Sequence, residues 1–340
     1  MSGARVPYHL RQNKHVEREL FLNLLSRVGR TVSLCDYLYV GFGGPFFEDF
    51  KAIHSRFGIK HMLSIEMDEW VFKRQQNNIP YGIVKCKNMK SSQLIGDFSK
   101  NAAEFPKAKH ILCWLDYASP KQLGTQLAEV RALLPKLNRC DIVKVTFNAN
   151  PATLGSPTST KQHAGANAPE DRLKYRLDRL RSRLGNAFPG NVAPEDLEPE
   201  KYPSLLLKVM KLQISEAMKE NPRLMFQPLG CYVYADSDHQ MLTCTGVLLK
   251  YDEQRRFLKS TGLSPIEFAS PDWEIHKIDV PYLSTREKLL LDRKMFQISA
   301  NKMIEEEGLW FDENKLRAAT MIENYGRLYR FYPHYHRIQY

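Results

Sequence analysis

A glycine-rich turn is the first feature of the sequence that could do chemistry. The segment GFGGP at residues 41–45 follows an apolar run that ends at Val40, and a helical pattern begins immediately after it. Glycines at such a turn let a ligand approach the backbone closely, and the first amide groups of the helix can bind it. The turn lacks the Lys-Ser/Thr pair of a triphosphate-binding loop and the full GxGxxG spacing. We therefore predict cofactor contacts, without a triphosphate, for Gly41, Phe42, Gly43 and Gly44; a tight strand-to-helix corner is the alternative.

An acidic residue closes the next apolar run. Glu66 ends the run MLSIE, and Met67 and Asp68 follow it. A carboxylate at the end of the second strand of a parallel sheet accepts hydrogen bonds from both hydroxyls of a ribose, and it lies roughly 20 residues beyond the glycine turn. Glu66 and Met67 are therefore predicted to bind the nucleoside part of a cofactor. A solvated loop carboxylate is the alternative for Glu66.

The fourth apolar run, HILCWLDY, ends in two candidate catalytic residues, Asp116 and Tyr117. The carboxyl ends of parallel strands meet at one edge of the sheet, so this pair is expected beside the glycine turn. Asp116 would orient or deprotonate an acceptor, and Tyr117 would shape the pocket. The alternative for Asp116 is a cap on the helix predicted over Lys121–Leu137.

Strands and helices alternate along residues 31–151. Predicted strands are Tyr37–Val40, His61–Glu66, Gly82–Cys86, His110–Asp116 and Asp141–Phe147. Predicted helices are Phe46–Phe57, Glu69–Asn77, Lys90–Phe98 and Lys121–Leu137. This alternation favours a parallel sheet with helices on both faces, and the continuous apolar runs are typical of strands that are buried on both sides.

The second half of the chain has a different pattern. Residues 152–228 are predicted to hold a loop rich in small residues, a basic amphipathic helix over 169–185 and a helix over Tyr202–Lys219. Residues 229–252 are predicted to form a final β-hairpin of the core, and 253–340 a mainly helical C-terminal extension. Residues 1–30 precede the core as a leader and a helix, and 31–151 form its cofactor-binding part.

Composition limits the function classes. The 340 residues carry a net charge of +11, which favours an acidic partner such as nucleic acid. The six cysteines form no CxxC pair, so reduced thiols and a cytoplasmic protein are expected, with no metal site. The sequence has no apolar stretch of the length that a membrane helix needs, and no membrane partner is expected.

The motifs together resemble those of class I S-adenosylmethionine-dependent methyltransferases. VGFGG resembles the glycine motif of that superfamily, SIEMD its ribose motif and WLDYASP its fourth-strand motif. More narrowly, YHLRQNKHVERELF, VGFGGPFFEDF and PYLSTREKLLLDRK resemble segments of uncharacterised bacterial O-methyltransferases. The resemblance implies a Rossmann-like seven-stranded, mostly parallel sheet with an antiparallel final hairpin.

The resemblance also implies site residues and a cofactor, S-adenosylmethionine. Asn88, at the end of the third strand, would lie near the adenine, where the superfamily usually has an acid. The chain departs from the superfamily at Tyr39, where an acid is usual, and at Pro45, where a third glycine is usual. Some O-methyltransferases hold a divalent metal with an acid after strand four and polar groups after strand five, which Asp116, Asn148 and Asn150 echo faintly. The two asparagines are equally good turn formers.

The expected activity is methyl transfer to a nucleic acid or to a small hydroxyl compound. The basic helix and the aromatic, basic C-terminal segment over residues 325–340 would contact nucleic acid; a solvated cover and simple packing are the alternatives. A non-catalytic binding module that engages nucleic acid or a protein partner is the second function class. A nicotinamide-dependent oxidoreductase is disfavoured by the short glycine motif and the final hairpin.

Overall fold

The computed structural model describes residues 11–157, 169–236, 239–264 and 266–333. Its strands are β1 (Tyr37–Gly41), β2 (His61–Glu66), β3 (Val84–Asn88), β4 (His110–Asp116), β5 (Ile142–Asn148), β6 (Leu224–Asp236), β7 (His239–Lys250) and β8 (Ile275–Ile278). Its helices are α1 (Gln12–Val28), α2 (Glu48–Phe57), α3 (Glu69–Asn77), α4 (Ser91–Gly96), α5 (Phe98–Ala103), α6 (Leu123–Leu133), α7 (Pro169–Leu184), α8 (Tyr202–Met218), α9 (Gln254–Thr261), α10 (Thr285–Lys294), α11 (Ala300–Glu307) and α12 (Lys315–Leu328). The N-terminal leader, most of the loop before α7, the link of the final hairpin and the end of the C-terminal segment lie outside the described residues.

Within those residues the strands form one eight-stranded sheet in the order β3-β2-β1-β4-β5-β7-β6-β8. Strands β1 to β5 pair in parallel, β7 runs antiparallel to both β5 and β6, and β8 is parallel to β6. The predicted mostly parallel sheet with a final antiparallel hairpin is confirmed. The sheet has one strand more than the predicted seven, because β8 is only four residues long and its sequence, IHKI, carries no continuous apolar run.

The helix after the glycine turn begins later than predicted. Helix α2 starts at Glu48 rather than Phe46, because Phe47 has a left-handed backbone with a φ of +52°. The turn between β1 and α2 therefore spans residues 42–47 and is longer than a minimal strand-to-helix corner. The helix predicted over Lys90–Phe98 is also interrupted, at Asp97, which separates α4 from α5.

Alternate residues of the central strands face two separate helical layers. Helices α1 and α2 and the C-terminal helices cover one face, where the strands contribute Tyr37, Tyr39, Leu112, Trp114 and Ile142. Helices α4 to α8 cover the other face, where the strands contribute Leu38, Val40, Cys113, Leu115 and Val143. Neighbouring residues at the end of one strand consequently belong to different layers, and this separates the two candidate catalytic residues.

The C-terminal segment packs against the α1 layer as far as it is described. Tyr325, Leu328 and Tyr332 are buried there, and the hydroxyl of Tyr332 donates a hydrogen bond to the carbonyl oxygen of Pro281 at 3.0 Å. This favours packing for residues 325–333. No helix in the described ranges combines the length and the apolar composition that a membrane span requires.

Candidate functional site

The glycine turn lies at the centre of the parallel part of the sheet, because β1 is paired with β2 on one side and β4 on the other. The backbone N–H of Gly43 donates a hydrogen bond to Oγ of Ser64 on β2, at 3.2 Å. A Cβ atom on Gly43 would lie 2.7 Å from the Phe47 ring and 2.8 Å from Ser64 Oγ. Glycine is therefore required at this position by close packing. Gly44, with a φ of +52°, needs glycine for its left-handed backbone instead.

The turn is also held from the side of α3. The carbonyl oxygen of Pro45 accepts a hydrogen bond from the side-chain amide of Asn78 at 2.9 Å. The first turn of α2 carries two carboxylates, Glu48 and Asp49, which occupy the positive end of the helix dipole. That arrangement repels a phosphate group and agrees with the prediction that no triphosphate binds here.

Glu66 ends β2 next to the glycine turn. Its Oε1 atom accepts a hydrogen bond from the backbone N–H of Asp68 at 2.9 Å, and burial raises the pKa of Glu66 above its ordinary value. Asp68 itself caps α3, since its carboxylate accepts the N–H groups of Trp70 and Val71. Glu66 therefore remains the carboxylate that can take a ligand at this strand end.

The two other predicted cofactor contacts flank Glu66. Met67 is 67% exposed although it is apolar, which suits a residue that covers one side of a bound ring. The side-chain amide of Asn88 donates to the carbonyl oxygen of Glu66 at 2.8 Å. The structure thus brings Glu66, Met67 and Asn88 together at the ends of β2 and β3.

Asp116 and Tyr117 lie on opposite faces of the sheet. Oδ2 of Asp116 is 3.8 Å from Nη2 of Arg18 on α1, and its side chain is 21% exposed. Asp116 does not cap the following helix, because the residue before α6 is Gln122. It is therefore available at the edge of the sheet, in the same layer as α1 and α2.

Tyr117 is enclosed in the α6 layer. Its hydroxyl donates a hydrogen bond to Glu129 of α6 at 2.5 Å, and its ring stacks on Phe147 and meets Phe42 of the glycine turn edge-on. Burial, and then the negative charge of Glu129, raise the pKa of Tyr117 well above its ordinary value. This position favours the wall-shaping role that the sequence suggested for Tyr117 over proton transfer.

Two charged residues that the sequence analysis did not single out, Asp49 and Arg18, lie in the same layer as Asp116. Tyr39 donates its hydroxyl proton in a short hydrogen bond to Oδ2 of Asp49, and both side chains are buried. The guanidinium of Arg18 lies over the ring of Trp114 at 4.9 Å from the ring centre. The only signal in the sequence was the tyrosine at position 39, where related enzymes usually have an acid.

A cavity of about 510 Å³ separates α1 from α2. Its walls include Arg18, Phe21, Asp49, Tyr81 and Trp114. Arg18 lines this cavity and also lies 3.8 Å from Asp116, so the cavity adjoins the Arg18–Asp116 pair. Asp116, Glu66 and residues 41–44 are not part of its wall.

The asparagines after β5 form turns. Oδ1 of Asn148 accepts the backbone N–H of Asn150 at 3.0 Å, and Oδ1 of Asn150 accepts the N–H of Ala152 at 2.9 Å. These contacts favour the turn-forming alternative for both residues. Among the described residues, no group of three or more His, Cys, Asp or Glu side chains is arranged to hold a metal ion.

The basic helix α7 covers the α6 layer. Leu177, Leu180 and Leu184 are buried, as the leucine spacing predicted. The guanidinium of Arg183 donates to the carbonyl oxygens of Pro120 and Thr153, at 3.2 and 2.7 Å. Such contacts favour the covering role of α7 and leave fewer arginines on it for a phosphate backbone.

A glycine turn after β1, a carboxylate after β2 and an antiparallel hairpin at the end of a parallel sheet define the Rossmann-like methyltransferase class. Residues 6–340 match the model of a family described as "Putative O-methyltransferase", and the chain belongs to that family. The protein is therefore a methyltransferase, as the sequence predicted. The prediction that S-adenosylmethionine is the methyl donor fits this family assignment.

Solved structures show only distant likeness to the chain. The plantazolicin methyltransferase BpumL in complex with a pentazolic desmethylPZN analogue and SAH is 12% identical, with 69% of this chain and 86% of that chain covered and a TM-score of 0.37. A protein from Listeria monocytogenes described as a "putative S-adenosylmethionine dependent methyltransferase" is 10% identical, with 67% of this chain and 98% of that chain covered and a TM-score of 0.33. Likeness at this level carries no argument about function. No protein of curated function matched the sequence.

Proposed function

We propose that this enzyme transfers the methyl group of S-adenosylmethionine to a hydroxyl group of a small acceptor beside Asp116. The observation that carries the proposal is the meeting of three features at the ends of adjacent strands: the glycine turn after β1, Glu66 after β2 and Asp116 after β4. Ligands of open parallel sheets bind at this carboxyl edge.

The residues present fit the nucleoside half of this cofactor. The turn is open to a ligand at Gly44, because a Cβ atom there would meet no other atom within 4 Å. Glu66 uses one hydrogen bond to the backbone, and a carboxylate accepts several more, enough for two ribose hydroxyls. The exposed Met67 supplies an apolar surface for the adenine.

The chemistry divides between the cofactor and Asp116. S-adenosylmethionine would supply a methyl group made electrophilic by its sulfonium, with the neutral thioether S-adenosylhomocysteine as the leaving group. Asp116 accepts the proton of the acceptor hydroxyl on a carboxylate oxygen, and Arg18 positions that carboxylate from 3.8 Å. The main contribution of the protein is alignment of the hydroxyl oxygen with the methyl group.

The cavity between α1 and α2 favours a small acceptor over a nucleic acid. Its volume of about 510 Å³ lies within the roughly 300–1,000 Å³ that is usual for small-molecule sites. Phe21, Tyr81 and Trp114 provide aromatic walls, and Arg18 connects them to Asp116. The basic helix, which would serve a nucleic acid, instead ties Arg183 to backbone carbonyl groups.

Calorimetric titration with S-adenosylmethionine tests the cofactor half of the proposal. The wild-type protein should bind it, and Glu66→Gln should weaken binding at least about tenfold, because the ribose hydroxyls lose a charged acceptor. Glu69→Gln is the matched control, since Glu69 is an exposed neighbour that pairs only with Lys73 of its own helix in the described structure. A folded wild-type protein that does not bind the cofactor would refute the proposal.

The acceptor half requires a transfer assay with labelled S-adenosylmethionine. A panel of small phenols and alcohols is compared with total RNA and with DNA. Label in a small hydroxyl compound supports the proposal. Label that enters only nucleic acid, with a yield that falls steeply with salt, would replace the small acceptor by a nucleic acid.

A further inference from the structure

Tyr39 and Asp49 form a buried pair with one unused acceptor. Tyr39 is fully buried and donates its hydroxyl proton to Oδ2 of Asp49. Asp49 is 8% exposed, and its other oxygen, Oδ1, is buried with no hydrogen bond from another described residue; the backbone N–H close to the carboxylate is its own. A buried carboxylate oxygen that lacks a donor is unfavourable, so a feature of this kind points to a group that the ligand supplies.

The position of this oxygen connects it to the cofactor edge. A Cβ atom added to Gly41 would lie 2.7 Å from the hydroxyl oxygen of Tyr39, so the pair lies directly beside the first glycine of the turn. Asp49 also lines the cavity between α1 and α2. Asp49 therefore lies between the cavity, whose wall it forms, and the glycine turn, which it approaches through Tyr39.

The charged residues around Asp49 indicate the charge of the ligand group that would bind its Oδ1 atom. An anionic group would meet the carboxylates of both Asp49 and Glu48, which line the same cavity. A cationic hydrogen-bond donor would satisfy Oδ1 and would balance the buried charge. Lys51 lines this cavity as well and offers a positive group for a carboxylate of the same ligand.

Given the methyl donor proposed above, on which this step rests, we infer that Asp49 binds the ammonium group of the amino-acid half of S-adenosylmethionine. Tyr39 fixes the carboxylate by occupying Oδ2, and Oδ1 accepts from the ammonium. The acid that holds the amino-acid half is thus supplied by α2, and the tyrosine on β1 positions it.

A comparison of three ligands isolates the contribution of the ammonium group to the binding affinity. S-adenosylhomocysteine carries both the ammonium and the carboxylate, its deaminated analogue keeps the carboxylate alone, and 5′-methylthioadenosine has neither. The wild-type protein should bind S-adenosylhomocysteine about 10–100-fold more tightly than the deaminated analogue, because one charged hydrogen bond is lost. Equal affinity for these two ligands would overturn the assignment without any variant.

Asp49→Asn then locates the contact. The variant should bind S-adenosylhomocysteine about 10–100-fold more weakly than the wild type, while 5′-methylthioadenosine binds within a factor of about two. Glu69→Gln is the control, because Glu69 is exposed on α3 outside the cavity wall and should leave all three affinities unchanged. A thermal melt of each variant checks that the fold is retained.

The outcomes distinguish this inference from the proposed function. A folded wild-type protein that binds none of the three ligands refutes the cofactor itself. Binding of all three ligands, with the preference for the ammonium unchanged in Asp49→Asn, refutes only the role of Asp49. If Asp49→Asn does not fold, the comparison of S-adenosylhomocysteine with its deaminated analogue on the wild type still decides whether an ammonium site exists.

Discussion

Glu17 of α1 and Lys144 of β5 form an ion pair in which both side chains are fully buried, with Oε1 and Nζ 2.6 Å apart. The ammonium of Lys144 also lies over the rings of Trp114 and Phe21, at 3.7 and 4.0 Å from the ring centres. Burial lowers the pKa of Lys144 to about 8, although Glu17 opposes this shift. The pair therefore joins the N-terminal helix to the sheet beneath Asp116 by charge as well as by apolar contact.

Removal of one partner of this pair should be costly. Lys144→Met is expected to lower the free energy of unfolding by about 3–5 kcal/mol, because the buried Glu17 carboxylate keeps only the more distant guanidinium of Arg18, 3.8 Å from Oε2. The double variant Glu17→Gln/Lys144→Met should regain a large part of that loss, since the glutamine side chain that replaces Glu17 keeps an oxygen for the hydroxyl of Thr243. Urea unfolding of both single variants and the double variant measures the coupling. If the losses in free energy of unfolding of the two single variants simply added in the double variant, the predicted coupling would be contradicted.

Most of the fold could be predicted from the sequence because the elements carry local signals. Most core strands are rich in apolar residues and are followed by a helical pattern or a turn residue. The third strand, VKCKN, is largely polar, and its prediction at Gly82–Cys86 began two residues too early. Strand β8 was missed because it gains its partner only through tertiary pairing with β6. The late start of α2 was missed because the left-handed backbone of Phe47 is set by packing, and phenylalanine gives no sign of it.

The candidate site was predictable only where a residue ends a strand. Glu66 and Asp116 could be identified because the chain position places them at the active edge of a parallel sheet. Asp49 and Lys144 could not, because a carboxylate in the first turn of a helix and a lysine inside an apolar run both have ordinary local explanations. Their role depends on contacts with Tyr39 and Glu17 that form only in the folded protein.

The glycine turn should tolerate substitution unequally. Gly43→Ala places a methyl group 2.7 Å from the Phe47 ring and should lower the free energy of unfolding by about 1–3 kcal/mol while weakening cofactor binding. Gly44→Ala is the comparison variant within the turn: its Cβ would meet no atom within 4 Å, and the left-handed backbone costs about 1–2 kcal/mol. Thermal melts and cofactor titrations separate stability from binding. A larger loss of cofactor affinity in Gly44→Ala than in Gly43→Ala would show that Gly44 is the closer contact.

The basic helix α7 should contribute stability through Arg183. Arg183→Met removes the donors for the carbonyl oxygens of Pro120 and Thr153, and we expect it to lower the free energy of unfolding by about 1–3 kcal/mol. Arg179→Met, an exposed position on the same helix, should stay within about 0.5 kcal/mol of the wild type. Denaturant unfolding measures both variants. Equal stability of the two, with reduced RNA binding in Arg179→Met, would instead support a nucleic-acid surface.

Substitution of Asp116 should lower the rate of methyl transfer without changing the affinity for the cofactor. Asp116→Asn keeps the shape of the side chain but cannot accept the hydroxyl proton, so kcat should fall by about 10²–10⁴-fold. The dissociation constant of S-adenosylmethionine should change by less than a factor of about two. Steady-state kinetics with an acceptor found in the hydroxyl panel, beside cofactor titration, makes the comparison. An unchanged kcat would assign Asp116 to positioning, and the base would be sought elsewhere in the cavity.

The pKa of Glu66 gives cofactor binding a defined dependence on pH. Burial raises this pKa in the free protein, and hydrogen bonds from the ribose favour the ionised carboxylate in the complex. Affinity should therefore be constant at neutral pH and should fall as the pH falls through the raised pKa of Glu66. The decline should begin at a higher pH than it would for an exposed glutamate.

Titration of 5′-methylthioadenosine against pH isolates this effect, because the ligand has no ammonium and is insensitive to the charge of Asp49. Glu66→Gln should bind it more weakly and with a flat pH profile as far as the folded state persists, since glutamine does not titrate. Glu69→Gln should keep the wild-type profile, because Glu69 is exposed on the surface of α3. A decline with pH that remains in Glu66→Gln would assign the titration to another group and would remove Glu66 from the ribose contact.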